Sequence, residues 1–166
     1  ISRNVDQIVS LTNDILFLQE IDLVLPDFQP VDMVEVVTRV ASKYKNKAAE
    51  RRVTINIHER RDIPNVQGDV QTLERAVTAL VDNAIKFSAP NGKVDIHFNS
   101  QAKQVSVSVE DYGIGIDPAI RPRIFDRFIH LEKSGDELYS GLGIGLSIAR
   151  QVIQQHKGSL DVDSQL

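Results

Sequence analysis

Three stretches of this chain alternate apolar and polar residues one for one, and that alternation limits its fold most. Residues 53–58 (VTINIH) show it once, and Val94, Ile96, Phe98 and then Val105, Val107, Val109 repeat it. A period of two puts every apolar side chain on one face of a strand. None of these stretches is the continuous apolar run of a strand buried on both sides. A mainly antiparallel sheet covered on a single face is therefore expected. The last two runs flank a polar stretch, residues 99–104, and read as an antiparallel pair joined by a short loop.

The covering layer reads as helical. Leu73, Ala76, Val77, Leu80, Val81, Ala84 and Ile85 recur at spacings of three and four, the stripe of a helix with one buried face. Another helix is expected from Asp32, a good N-cap, to Arg51, and a third from a glycine cluster to His156. Pro64 interrupts the chain before Gly68, Asn91-Gly92 marks a turn, and Leu160 and Val162 suggest one more strand. The class that follows is α+β: a two-layer sandwich with a mixed, mainly antiparallel sheet and helices on one face. An N-terminal helix precedes it. There Ile1, Ile8 and Ile15 share one heptad position, and Asn4, Leu11 and Leu18 share another. Such a seam suits helix pairing, although a surface helix packed on its own domain would read the same way. Pro26 and Pro30 point to a linker near residues 24–30, so residues 1–24 and 25–166 are expected to be separate units.

Composition excludes several functions. The 166 residues contain no cysteine, so thiol nucleophiles, disulfides and thiolate metal sites are ruled out. A net charge of −4 lacks the basic footprint of a nucleic-acid binder. No apolar run approaches the roughly 20 residues that span a bilayer, and no signal-peptide pattern is present. A cytoplasmic chain is expected, with room for a membrane anchor in a longer parent protein. The start at Ile1, inside a helical stretch, agrees with a piece of such a parent.

Three segments carry chemistry. In VDNAIKF (residues 81–87), Asn83 and Lys86 stand at the rim of the apolar helical stripe, where an amide and an ammonium meet solvent. DYGIGID (residues 111–117) places Asp111 at a strand end before Gly113 and Gly115, which let the backbone turn sharply or approach a ligand. A carboxylate there can accept from an exocyclic amine such as that of adenine. SGLGIGLSIAR (residues 140–150) alternates glycines before a helix, so backbone N–H groups and a helix N-terminus can face an anion. Each has a plainer reading: a solvated helix edge, a tight turn, a flexible helix entry. Neither a P-loop nor a dinucleotide fingerprint is present. Together they offer a base acceptor, a phosphate cradle and an amide suited to a metal ion.

These segments, with RIFDRF (residues 123–128), resemble the asparagine, first glycine, phenylalanine and second glycine boxes of sensor histidine kinase catalytic domains. That family lies in the superfamily of gyrase B, the mismatch-repair ATPases and the heat-shock chaperone ATPases, and its fold is the Bergerat-type ATP-binding sandwich. NDILFLQEID (residues 13–22) is similar to the end of the second helix of the dimerisation and phosphoacceptor hairpin.

The resemblance implies ATP and Mg2+ as ligands. It assigns Asn83 to the metal, Lys86 to phosphate, Phe87 to the pocket wall and Asp111 to the adenine amine, with Gly113, Gly115 and Ile116 forming the turn. Residues 129–140 would be a mobile lid, Lys133 a phosphate contact, and Gly141, Leu142, Gly143, Gly145 and Leu146 the start of the phosphate-facing helix. It also implies a phosphoacceptor histidine domain and a response-regulator receiver domain as partners, and a homodimer through the first helix. His130 stands where the family often has Arg, and Ala79 where it usually has Asn, or Glu in the ATPase relatives. His58, His97, His130 and His156 lack the phosphoacceptor pattern, so the nucleophile is expected on another domain. The rivals are an ATPase of the same superfamily, which would need an acidic base near Asn83, and a degenerate module that only binds nucleotide or pairs.

Overall fold

Asp69 starts the central helix by accepting from the backbone N–H groups of Gln71 and Thr72, at 3.0 Å each. The helix, α3 (Val70–Phe87), buries Leu73, Ala76, Val77, Val81, Ala84 and Ile85 along one stripe, as the spacing requires. Its neighbours follow the same logic. α2 (Met33–Glu50) is capped by Asp32 and buries Val36, Val37 and Val40, while α4 (Gly145–Gln155) buries Ile148, Ala149 and Val152. In this computed structural model, which describes residues 2–21, 26–58, 62–127 and 143–165, α3 packs between α2 and α4 and against the sheet. One apolar core unites the two layers, from Val36 and Val40 through Val81 and Ile85 to Val94 and Ile96.

Among the described residues the main sheet has three strands, in the order β2 (Thr54–His58), β4 (Lys93–Gln101), β5 (Gln104–Asp111). β4 and β5 are antiparallel, and β2 runs parallel to β4. Alternation reported correctly that one face is buried, but it carries no information on strand direction. Direction is decided by α3, the crossover that a parallel pair needs. The strands also run further than the apolar residues suggested: residues 99–101 and 104 belong to the ladder, and the loop shrinks to Ala102 and Lys103, with Ala102 at φ 53°. Inward positions are Ile55, Val94, Ile96, Phe98, Val107 and Val109, and Asp111 pairs with Val94 at the end of that row.

Three expectations need correction. Within the expected linker, Gln29–Val31 forms β1, which pairs antiparallel with β3 (Val66–Gly68) as a two-stranded ribbon. Three-residue strands carry too little alternation to be seen in sequence. Residues 160 and 162 form no strand: Ser164 instead meets the turn after β5, its hydroxyl accepting from the Ile116 N–H at 2.9 Å. The heptad seam also divides. In α1 (Ser2–Glu20), Ile8 and Ile15 are exposed, but Leu18 joins Ile21 in the domain core. Arg75 of α3 holds this end, 3.6 Å from the Asp14 carboxylate and 4.0 Å from the Phe17 ring centroid.

Candidate functional site

The end of α3 and the turn after β5 are locked together by backbone. Ser88 and Gly113 form an isolated antiparallel bridge. A Cβ on Gly113 would sit 2.1 Å from the Phe87 carbonyl oxygen and 2.8 Å from an Asp111 carboxylate oxygen. Only glycine lets the two segments close this far. Asp111 folds back on the turn, accepting from the Gly113 N–H at 3.0 Å. Partial burial lifts its pKa above the ordinary carboxylate value, the Gly113 N–H opposes the rise and nearby Glu110 adds to it. The carboxyl is thus held at the edge of the α3–β5 junction with accepting capacity left over. Gly115 continues the turn at φ 69°, where a side chain would be strained.

On α3, Asn83, Lys86 and Phe87 are half-buried, within about one and a half helical turns of that bridge. The Lys86 ammonium lies 5.0 Å from the Phe87 ring centroid, and its backbone carbonyl accepts from Arg51 at 2.6 Å. Burial lowers the Lys86 pKa, Arg51 and Lys47 push the same way, and Asp82 opposes them. Asp82 itself pairs with Lys47 of α2, so it turns away from Asn83 as the helical spacing predicts.

The start of α4, after the second glycine cluster, meets α3 midway along at Ala79, about one turn before Asn83. Gly143 adopts φ 66°, and Gly145 begins α4, where a Cβ would meet the Ala79 side chain at 3.7 Å. Ala79 is therefore the residue that the α4 N-terminus stands on, four residues before Asn83. α2 and α3 are capped by aspartates, but Ile144 at the α4 N-cap offers no side-chain acceptor. The first N–H groups of α4 thus receive no side-chain cap from this residue. Leu146 is half-buried beside them.

From the phenylalanine box, Ile124 is buried and Phe125 lies 5.4 Å from the Arg150 guanidinium. Lys133, Gly141, Leu142, His130 and the expected lid fall outside the described residues. The other histidines do structural work. His58 stacks on His97 at 4.3 Å, and His156 accepts from the Asp69 N–H at 3.0 Å while its other ring nitrogen bonds the Val152 carbonyl. Sequence reasoning missed Ser88, whose bridge builds the site, and Tyr112, whose position inside the Asp111–Gly113 turn was the available signal.

Residues 68–166 match the family of histidine kinase-, DNA gyrase B- and HSP90-like ATPases. The adaptive-response sensory kinase SasA of Synechocystis is 31% identical over 137 residues, which is 82% of this chain and 35% of that protein. The sensor-like histidine kinase SenX3 of Mycolicibacterium smegmatis is 34% identical over 145 residues, 85% of this chain and 36% of that one. Full-length ShkA, solved in complex with AMPPNP, superposes with a TM-score of 0.80 at 26% identity, over 92% of this chain and 32% of ShkA. The mycobacterial sensor histidine kinase MprB superposes with a TM-score of 0.68 at 32% identity, over 82% of this chain and 85% of the MprB chain. The chain spans about a third of the length of the curated relatives it matches. It belongs to the histidine kinase-, DNA gyrase B- and HSP90-like ATPase family, and within that family its relatives are sensor histidine kinases.

Proposed function

We propose that this chain is the nucleotide-holding catalytic domain of a sensor histidine kinase, which binds Mg-ATP and presents the γ-phosphoryl group to a histidine on a dimerisation domain. The observation that carries the reading is the approach of three elements to α3: a strand-end carboxylate, the amide and ammonium of α3 itself, and the N-terminus of α4, which has no side-chain cap. In this reading Asp111 accepts from the adenine amine, and the α4 N-terminus and Lys86 face phosphate. Transfer forms a bond from a ring nitrogen of the acceptor histidine to phosphorus and breaks the bond to the bridging oxygen, with ADP leaving. The domain contributes position and charge neutralisation rather than a nucleophile.

The residues present fit magnesium. Among the described residues no cluster of three acidic or histidine side chains could hold a metal alone. A single amide, Asn83, suits an ion that takes most of its oxygens from phosphate and water. Magnesium, when bound, would neutralise phosphate charge. Hydrolysis is disfavoured in this reading, because Ala79 is no base and Asp82 is committed to Lys47. The partners follow from the same proposal: a phosphoacceptor hairpin, a response-regulator receiver domain, and a second copy meeting α1 through exposed Val5, Ile8 and Ile15.

Calorimetry with ATP tests the base contact. Asp111→Ala should weaken binding by at least about tenfold, the loss expected for a hydrogen bond to a charged group. Equal affinity in wild type and variant would sink the assignment. Radiolabelled ATP should also yield acid-labile phosphate on a supplied dimerisation hairpin, and absence of transfer while ATP binds would favour a module that only holds nucleotide.

A further inference from the structure

The open face of the main sheet carries a group that a solvent-facing sheet does not need. Asp95 points away from the helices, at the outward position between Val94 and Ile96, yet it is only 3% exposed. Three side chains cover it and donate to it, Lys93 at 2.7 Å, Asn56 at 2.8 Å and His58 Nε2 at 3.0 Å, and the Tyr112 hydroxyl lies close enough to interact with it. The Lys93 ammonium also lies 4.5 Å over the Tyr112 ring centroid. A buried carboxylate is costly unless its oxygens are fully paired. Here they are, and Lys93 first, then Asn56 and His58, hold Asp95 well below the ordinary carboxylate range.

The connectivity gives this network a direction. Asp111 pairs with Val94, the residue between Lys93 and Asp95. Tyr112 leaves the chain on the opposite side from Asp111 and returns to the two residues flanking that pair. Gly113 is gripped from the helix side by the Phe87 carbonyl and the Ser88 bridge. The three-residue turn is therefore clamped from both faces of the sheet, helix side at Gly113 and open side at Tyr112.

We propose that Asp95, acting through Tyr112 and Lys93, is a positioning residue for base recognition: it braces the Asp111–Gly113 turn from the open face so that the Asp111 carboxylate stays at the adenine site. The proposal rests on the reading that Asp111 accepts from the adenine amine. Tyr112 is 47% exposed, so Tyr112→Phe removes one hydroxyl and leaves the ring under Lys93. Asp95→Asn removes the centre of the network.

The experiment compares ATP with purine riboside triphosphate, which lacks the 6-amino group, by calorimetry on the full chain. In wild type ATP should bind more tightly. Tyr112→Phe and Asp95→Asn should each weaken ATP by about three- to tenfold and leave the purine analogue unchanged, so that discrimination falls. In an Asp111→Ala background, Tyr112→Phe should cause no further loss. A general loss of fold stability would weaken both ligands alike and leave their ratio untouched, and that result overturns the proposal. So does wild-type discrimination in Tyr112→Phe, which keeps the proposal testable if Asp95→Asn does not fold. If Asp111→Ala itself preserves discrimination, the adenine reading fails, and the proposal that rests on it falls with it.

Discussion

Replacing Gly113 with alanine should damage both the fold and the nucleotide site. The added Cβ would lie 2.1 Å from the Phe87 carbonyl oxygen and 2.7 Å from its carbon, where ordinary contact begins at 3.4 Å. The obstructing atoms are backbone at the last residue of α3, so no side chain can swing aside. The turn must retreat by more than an ångström, and the Ser88–Gly113 bridge breaks with it. Overpacking of this kind costs about 1–3 kcal/mol, and the high end is expected because the neighbour is rigid. For a domain of this length, that corresponds to a fall in Tm of roughly 6–12 °C. ATP affinity should fall too, because Asp111 moves with the turn. Gly145→Ala is the control for stability alone: its Cβ meets Ala79 at 3.7 Å, an ordinary contact, at the first residue of a helix. The melting temperature should be unchanged, or the fold stabilised by up to about 1 kcal/mol. Thermal unfolding followed by circular dichroism, paired with calorimetric ATP titration, measures both variants. A Gly113→Ala protein that melts with wild type and binds ATP equally well would refute the packing argument.

Asp111 has a raised pKa in the fold, so its contribution to stability is fully present at low pH and is lost as pH rises through the folded value, above the ordinary 3.8. Asp111→Asn should therefore stabilise the ligand-free domain at neutral pH while weakening ATP, and an NMR titration of the wild-type carboxyl should show its pKa dropping when ADP binds. Asp82→Asn should leave steady-state phosphate release at its slow basal rate, because that carboxylate is paired with Lys47 and not aimed at the nucleotide; a marked loss of hydrolysis would instead favour the ATPase reading. Asp69→Ala removes the acceptor for Gln71, Thr72 and the Asp27 N–H, so it should cost about 1–2 kcal/mol, or roughly 2–8 °C in Tm, without changing ATP selectivity.

Much of the fold is local and was legible for that reason. Asp32 and Asp69 cap α2 and α3 because an N-cap is satisfied within three residues of itself. The stripe from Leu73 to Ile85 and the alternation of Val94, Ile96 and Phe98 state which side of each element is buried, since the periods of helix and strand are fixed by backbone geometry. The candidate site residues were picked out by their motifs, and the structure sets the Asp111 turn against the C-terminal end of α3 at Ser88 and the start of α4 against Ala79, midway along that helix.

What the chain could not state on its own is how its segments meet. β2 runs parallel to β4 because α3 carries the chain back across the sheet, a fact of topology to which an alternating pattern is blind. β1 and β3 exist only as each other's partner, three residues apiece. Leu18 reads as a coiled-coil position, yet it buries itself in its own domain once Arg75 engages Asp14 and Phe17. Asp95, on the polar side of its strand, reads as a solvated charge until Asn56, Lys93 and Tyr112 close over it from 39, 2 and 17 residues away in sequence. By itself the sequence determined the elements, their buried faces and the chemical types available to the site. Tertiary structure alone decided strand direction, the contact between Gly113 and Phe87, and the bracing of the Asp111 turn, because each depends on residues that become neighbours only when distant segments pack.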